Sequence, residues 1–400
     1  MLEQPMFGRR LRQLRTERGL TLAALAGAGM STGYLSRLES GARQPTERAV
    51  AHLAAQLGVS PAELAESTAT SLAQSMTLAT GLTGDEAGET LAAALKSASG
   101  EDPLLRWQAL WRVAEWRRRR QEYAEQRACL DELVAIGQSS GLPELEARAL
   151  ADLARCLRSL GEMGEAVDAA TRAYELARGK DLPYHVITAA LLALVSVLVE
   201  AGRVPDAARY GDELLTQVEG RSGTRWAEAL WTVASLRVRQ GDLDGARKLM
   251  DQAVRDFDGR DDLTLWMGLR ISAARLDLLD TPPRTDVARR RVEEVEAAMP
   301  FAGTRATEQS LLMMRARIAF HDGHNAETLA LLDRLDGFDD MLNYQDRIRN
   351  RMLRDQILLA DGKREQAIAD LRTLAEQTQA SGNMDLAAEI WRLVAESLAG

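Results

Sequence analysis

Four hundred residues exceed what one compact core accommodates, so the chain divides into several units or a repeat array. Apolar residues make up 46%, charged residues 27% and aromatics only 4%; with abundant Ala, Leu and Arg and no long Val/Ile/Thr/Tyr alternation, this favours helices over sheets. The net charge of −9 argues against nucleic acid until it is divided: residues 1–66 carry +2 and the remainder −11, a small cationic head on an acidic body.

Two cysteines, Cys129 and Cys156, stand without metal or disulfide spacing and read as buried, reduced thiols. The N-terminus has no apolar segment followed by a cleavage site. The longest apolar run, Val186–Val199, is 14 residues, too short to span a bilayer. The expectation is a cytoplasmic protein with no membrane partner.

Along the first 66 residues, five short helices are expected. Phe7, Leu11 and Leu14 form one stripe of an amphipathic helix whose other face carries Arg9, Arg10, Arg12 and Arg15. Gly19 ends it. Thr21 caps a second helix through Leu22, Leu25 and Ala26, and Gly29 is expected to supply a left-handed turn. Ser31 caps the third helix, and Pro45-Thr46 opens a fourth with the stripe Val50, Leu53, Ala54 and Leu57. Ser60-Pro61-Ala62-Glu63 is a capping box opening a fifth.

On the third helix Leu35 and Leu38 must face a core, which turns Thr32, Gly33, Ser36 and Arg37 outward. The first turns of a recognition helix enter the major groove in this way. Arg37 is the one side chain there able to make a bidentate contact to guanine, worth about 1–3 kcal/mol of discrimination. Ser40 and Arg43 suit phosphate contacts that set register. With Ser31 at the helix edge, the candidate DNA-binding set is Ser31, Thr32, Gly33, Ser36, Arg37, Ser40 and Arg43.

This segment resembles the repressor-type helix-turn-helix family called XRE or Cro/CI-like. The phrase is carried by Leu25-Ala26, Gly29-Met30-Ser31, Tyr34-Leu35-Ser36-Arg37-Leu38-Glu39, Gly41, Arg43 and Pro45. The resemblance implies that Glu39 ties helices together instead of touching DNA. The chain departs from the family pattern at Leu22, where a phosphate-clamping Gln is usual, and it is one residue shorter near Gly27.

Residues 67–102, rich in Ser, Thr, Ala and Gly, read as a partly helical linker. A period then appears. The turn recurs at Gly161, Gly202, Gly241, Gly323 and Gly362, with an alanine five residues on in four of the five copies. The steps are 41, 39, 82 and 39 residues, the 82 being two units with a degraded turn at Asp280-Thr-Pro-Pro-Arg. Arg120-Gln-Glu-Tyr looks like the first copy, and Met384–Leu398 like a terminal cap. Seven helix pairs at about 40 residues mean an α-solenoid. The fold class is therefore all-α, a five-helix head followed by residues 103–400 as a repeat domain.

The repeats resemble tetratricopeptide repeats, though their period exceeds that family's 34. A repressor-type head with such a body is similar in architecture to the peptide-pheromone receptor regulators of Gram-positive bacteria. The resemblance implies quorum sensing, with a peptide or small molecule in the concave groove altering DNA binding. Arg148, Arg155, Arg270, Arg315, Asn343 and Asn350, on the first helix of each unit, are the candidate ligand contacts. A homodimer on a palindromic double-stranded operator is expected, since one small head offers little area.

No phosphate loop, nucleophile phrase or acidic ligand set is present in the sequence, so no enzyme, cofactor or metal is expected. His321 and His324 lack a third ligand nearby in sequence, and Arg117–Arg120 beside Trp116 reads as the basic end of an amphipathic helix. Two alternatives stay open: a protein-interaction scaffold with an accessory head, and a constitutive repressor with no ligand.

Overall fold

The computed structural model describes residues 6–61, 64, 71–82, 84–97, 102–337 and 342–399; among them every regular element is helical. The chain separates into two compact units, Met1–Glu101 and Asp102–Gly400.

The first unit opens with α1 (Met6–Glu17), α2 (Leu22–Ala26), α3 (Thr32–Glu39) and α4 (Glu47–Leu57). Phe7, Leu11 and Leu14 are buried in one cluster with Leu25, Leu35, Leu38, Val50, Leu53 and Leu57. Each such side chain contributes about 1.5–3 kcal/mol on leaving water. Caps set the helix starts: the Thr21, Ser31 and Thr46 hydroxyls accept from the backbone N–H of Ala24, Tyr34 and Ala49. α1 crosses the end of α3 so closely that a Cβ on Gly8 would stand 2.2 Å from the Leu38 carbonyl oxygen. Only glycine allows that approach.

Two expectations change here. The left-handed residue of the α2–α3 corner is Gly27, at φ +54, and not Gly29. Gly29 is small for another reason: a Cβ there would meet the His52 ring at 2.8 Å. His52 Nε2 in turn lies 3.0 Å from the Ala26 carbonyl, locking α4 to the corner. Arg15 also leaves the outer basic face expected of it. Its guanidinium donates to both Glu39 carboxylate oxygens, at 2.6 and 3.0 Å, and to the Leu20 carbonyl at 2.9 Å. Glu39 thus ties α3 to α1 through a fork-to-fork pair. Of the expected fifth helix, Pro61 and Leu64 are helical, with Leu64 N–H on the Ser60 carbonyl at 3.0 Å. Ala62 and Glu63 lie outside the described residues.

Within residues 67–102 two helices follow, α5 (Leu72–Ala79), opened by a Ser71/Gln74 capping box, and α6 (Asp85–Ser97). They pack on each other, burying Leu72, Ala79, Leu91 and Leu95.

Among the described residues the second unit is a stack of seven helix pairs and a last helix. The pairs are α7/α8 (Pro103–Arg119, Tyr123–Ser139), α9/α10 (Pro143–Leu160, Met163–Gly179), α11/α12 (Tyr184–Glu200, Val204–Val218) and α13/α14 (Thr224–Arg239, Leu243–Asp256). α15/α16 (Leu263–Asp277, Thr285–Ala302), α17/α18 (Arg305–His321, Asn325–Asp336) and α19/α20 (Tyr344–Ala360, Arg364–Ala380) complete them, and α21 (Met384–Ala399) covers the end.

The repeated turn has a physical reading. Gly161, Gly202, Gly241, Gly323 and Gly362 all sit at φ between +74 and +86, which ends the first helix. The residue after each glycine donates back to the first helix, as Glu162 N–H does to the Leu157 carbonyl at 2.9 Å. Ala166, Ala207, Ala246 and Ala367 are fully buried where the second helix starts against the first. The first turn lacks glycine, and Gln121 takes the left-handed conformation instead, at φ +60.

The stack curves until its late helices meet its early ones. Gln345 Nε2 donates to the Arg158 carbonyl at 2.9 Å, and Asn383 Nδ2 to the Gly161 carbonyl at 3.1 Å. Arg239 reaches Asp385 at 2.8 Å, and a Cβ on Gly202 would touch Met384 at 3.0 Å. The apolar run Val186–Val199 lies in α11 at the heart of this unit, buried at nearly every position. No helix among the described residues is long and apolar enough to cross a membrane.

Candidate functional site

In the first unit the candidate surface is the outer face of α3. Leu35 and Leu38 are fully buried beneath it, and Thr32, Gly33, Ser36 and Arg37 are exposed. Ser31 spends its hydroxyl on the cap, accepting from Tyr34 N–H at 3.2 Å. Ser40 donates to the Arg37 carbonyl at 3.2 Å. The Arg43 guanidinium lies 5.3 Å from the Tyr34 ring centre, which holds it beside the end of α3. Nothing lies within 4 Å of a Cβ on Gly33, so that position is open to an approaching surface.

In the second unit the curved stack borders a half-open cavity of about 550 Å³, within the range of small-molecule and cofactor sites. Its walls are the first helices of successive pairs, from α9 to α19, with α21 closing one side. Of the six candidate ligand residues, Arg155 and Asn343 line it. Arg155 pairs with Asp152 at 3.2 Å, and Asn343 caps α19 by accepting from Asp346 N–H at 2.8 Å. Arg315 lines a separate cavity of about 410 Å³ with Arg289 and Asp322, and pairs with Glu296.

The other three line neither cavity. Arg148 lies 4.7 Å from the Trp111 ring centre, beside a stack of Trp107 on Trp111. Arg270 sits 3.4 Å from the Trp266 ring centre and pairs with Glu294. Asn350 is buried in α19, outside the cavity wall.

The arginine run resolves into local pairing: Arg117 and Arg120 both pair with Glu122 and lie over the Trp116 ring. Asp322, between the two histidines, pairs with Arg289 at 2.6 Å. Cys156 is buried and burial pushes its thiol up to about 12, far from a reactive thiolate. Cys129 is only partly covered, against the expectation that both are buried.

Sequence reasoning missed the residues that give the cavity its charge. Arg158, Arg239, Arg275, Arg317 and Arg349 line it, with Glu200, Asp346 and Glu389. A signal existed in α17, where Arg315 and Arg317 interrupt an apolar run. Two residues apart on a helix, they point to opposite sides, and only Arg317 faces the cavity.

Comparison with known proteins follows this division. The model of a MalT-like TPR region matches residues 70–384. The chain belongs to that family. A helix-turn-helix domain model matches residues 6–66. Family body and helix-turn-helix head together are the organisation of a DNA-binding regulator.

Two solved structures with TM-scores above 0.5 share the fold at low identity. The Rap conjugation gene regulator of the plasmid pLS20, in complex with the Phr* peptide, is 13% identical with a TM-score of 0.55, covering 94% of this chain and 96% of its own. A Rap protein complexed with Competence and Sporulation Factor is 11% identical with a TM-score of 0.54, covering 98% and 97%. The apo form of the quorum sensor NprR from B. thuringiensis is 13% identical with a TM-score of 0.45, covering 97% of each. No curated protein matches the sequence.

Proposed function

We propose that the chain is a sequence-specific transcriptional regulator that binds DNA as a homodimer and changes its binding when the cavity of its repeat unit is filled. The observation that carries this reading is the outward face of α3, where Thr32, Gly33, Ser36 and Arg37 stand exposed over a buried Leu35 and Leu38. Such a face presents donors and one arginine fork to base edges. The cavity supports the sensing half, because a ligand that prefers one of two arrangements of the stack shifts their populations. One fold neighbour carries the Phr* peptide, which by analogy makes a short peptide one candidate occupant.

Genome-wide occupancy mapping and footprinting of the full chain test the DNA-reading half. Palindromic peaks are expected, as from paired heads reading half-sites a helical turn apart. Arg37→Ala is expected to relax preference at one base position by about 1–3 kcal/mol. Arg43→Ala weakens all sequences alike and lowers the salt slope by about one unit. A footprint and base preference untouched by Arg37→Ala overturn the assigned face, and diffuse occupancy without peaks overturns the regulator reading in favour of a scaffold.

A further inference from the structure

The charges around the 550 Å³ cavity do not cancel locally. Six arginines line it: Arg155, Arg158, Arg239, Arg275, Arg317 and Arg349. Arg155 pairs with Asp152 at 3.2 Å, Arg158 with Glu200 at 2.6 Å and Arg239 with Asp385 at 2.8 Å. Arg275, Arg317 and Arg349 have no ion pair or side-chain hydrogen bond among the described residues.

Among the described residues two lining acids are held in close ion pairs, while Asp346 has only a neutral amide donor and Glu389 keeps a buried oxygen without one. Glu200 holds Arg158, Glu228 holds Arg225 at 2.8 Å and Asp346 accepts from Asn343 Nδ2 at 2.8 Å. Glu389 lies nearest Arg239, at 3.8 Å. Burial works to raise its carboxyl, but Arg349, Arg239 and Arg317 outweigh that and hold it below its ordinary range.

The three unpaired guanidinium groups repel one another. Arg317 is drawn down to about 9, first by burial and then by Arg275 and Arg349. Arg275 is lowered by burial and by Arg349. The Nε atoms of Arg275 and Arg317 are buried and have no acceptor. Asp346 and Glu389 offset part of this repulsion, and the remaining like charge with unused buried donors favours a further anion. A carboxylate or phosphate accepts from such forks bidentately. The same lining includes Trp231, Leu192 and Val199, which add apolar and aromatic surface.

We infer that the cavity is an anion site: it takes a compact ligand whose carboxylate or phosphate group docks between Arg275, Arg317 and Arg349, with its apolar part against Trp231, Leu192 and Val199. Peptide termini, acidic side chains and phosphorylated or carboxylated metabolites share this chemistry. The inference rests on the ligand-sensing reading above and names the class of ligand it requires.

The test titrates the full chain with citrate and with inorganic phosphate, following the unfolding temperature and the heat of binding at ionic strength matched with potassium chloride. Both anions are expected to bind saturably and to raise the unfolding temperature beyond chloride. Arg275→Gln and Arg317→Gln each weaken that binding about tenfold or more. The site is overturned if neither anion exceeds chloride, or if both variants bind as the parent does. A neutral compound that co-purifies, occupies the cavity and alters DNA affinity also overturns it while leaving sensing intact. Anion binding that leaves DNA affinity unchanged has the opposite meaning: the site stands and the sensing reading falls.

Discussion

The head and the repeat body handle charge in opposite ways. In the helix-turn-helix head the core cluster is apolar, and a deep ion pair, Arg15 with Glu39, is a complete fork that ties two helices. Exposed polar residues on α3 are left over for other work. The repeat body instead draws charged groups inward, around a cavity and into helix contacts where burial opposes ionisation. In the proposed function, the head presents a surface preformed by its buried core. In that same reading the body holds charge at a cost, and a ligand that relieves that cost is the signal.

Leu35→Ala attacks the head's side of the contrast and carries the largest effect. The side chain is fully buried, so truncation should cost the head about 2–5 kcal/mol. Hydrogen exchange resolved by peptide is the measurement: protection falls within residues 6–57 while 103–399 is unchanged. Loss spread evenly over both would mean that the two units do not unfold separately.

Asp355→Asn probes the body. Burial, with Asp370 nearby, pushes the Asp355 carboxyl up to about 7. The folded state therefore binds this proton more tightly than the unfolded chain, and stability falls as pH rises from about 4 through 7. The asparagine variant should match the parent near pH 4 and exceed it at pH 8 by on the order of 2 kcal/mol. Thermal unfolding at the two pH values reads the difference, and an equal offset at both would remove the buried charge from the account.

Ser31→Ala is the smallest change. It deletes the oxygen that accepts from Tyr34 N–H and should cost the head about 1 kcal/mol. Thermal unfolding of the head monitors it, with Thr32→Ala as the exposed neighbour expected to do far less.

Much of the fold is legible in the sequence because its signals are local. A glycine that must be left-handed and an alanine that must be small recur at fixed spacing, and they locate the helix pairs through Gly362. The buried stripe of α1 and the hydroxyl caps are likewise written within a few residues. Gly27 and Gly29 are harder, since either can turn a chain and only the position of His52 separates their roles. The outer face of α3 follows from Leu35 and Leu38 alone. The cavity does not, because its walls come from helices nearly two hundred residues apart in sequence, as the contact of Gln345 with Arg158 shows. Choosing Arg317 over Arg315 needs that long-range register, which no helical period encodes.

That same contact bears on how the protein can evolve. An open stack of repeats gains or loses a unit at little cost, because each unit touches only its neighbours. Here Gln345, Asn383 and Met384 fit against Arg158, Gly161 and Gly202, so the number of units between them is fixed by geometry. Insertion of one helix pair between α11 and α19 would carry those partners past each other. The array is therefore length-locked, and variation among its relatives should enter through side chains and turns, with the repeat count held constant.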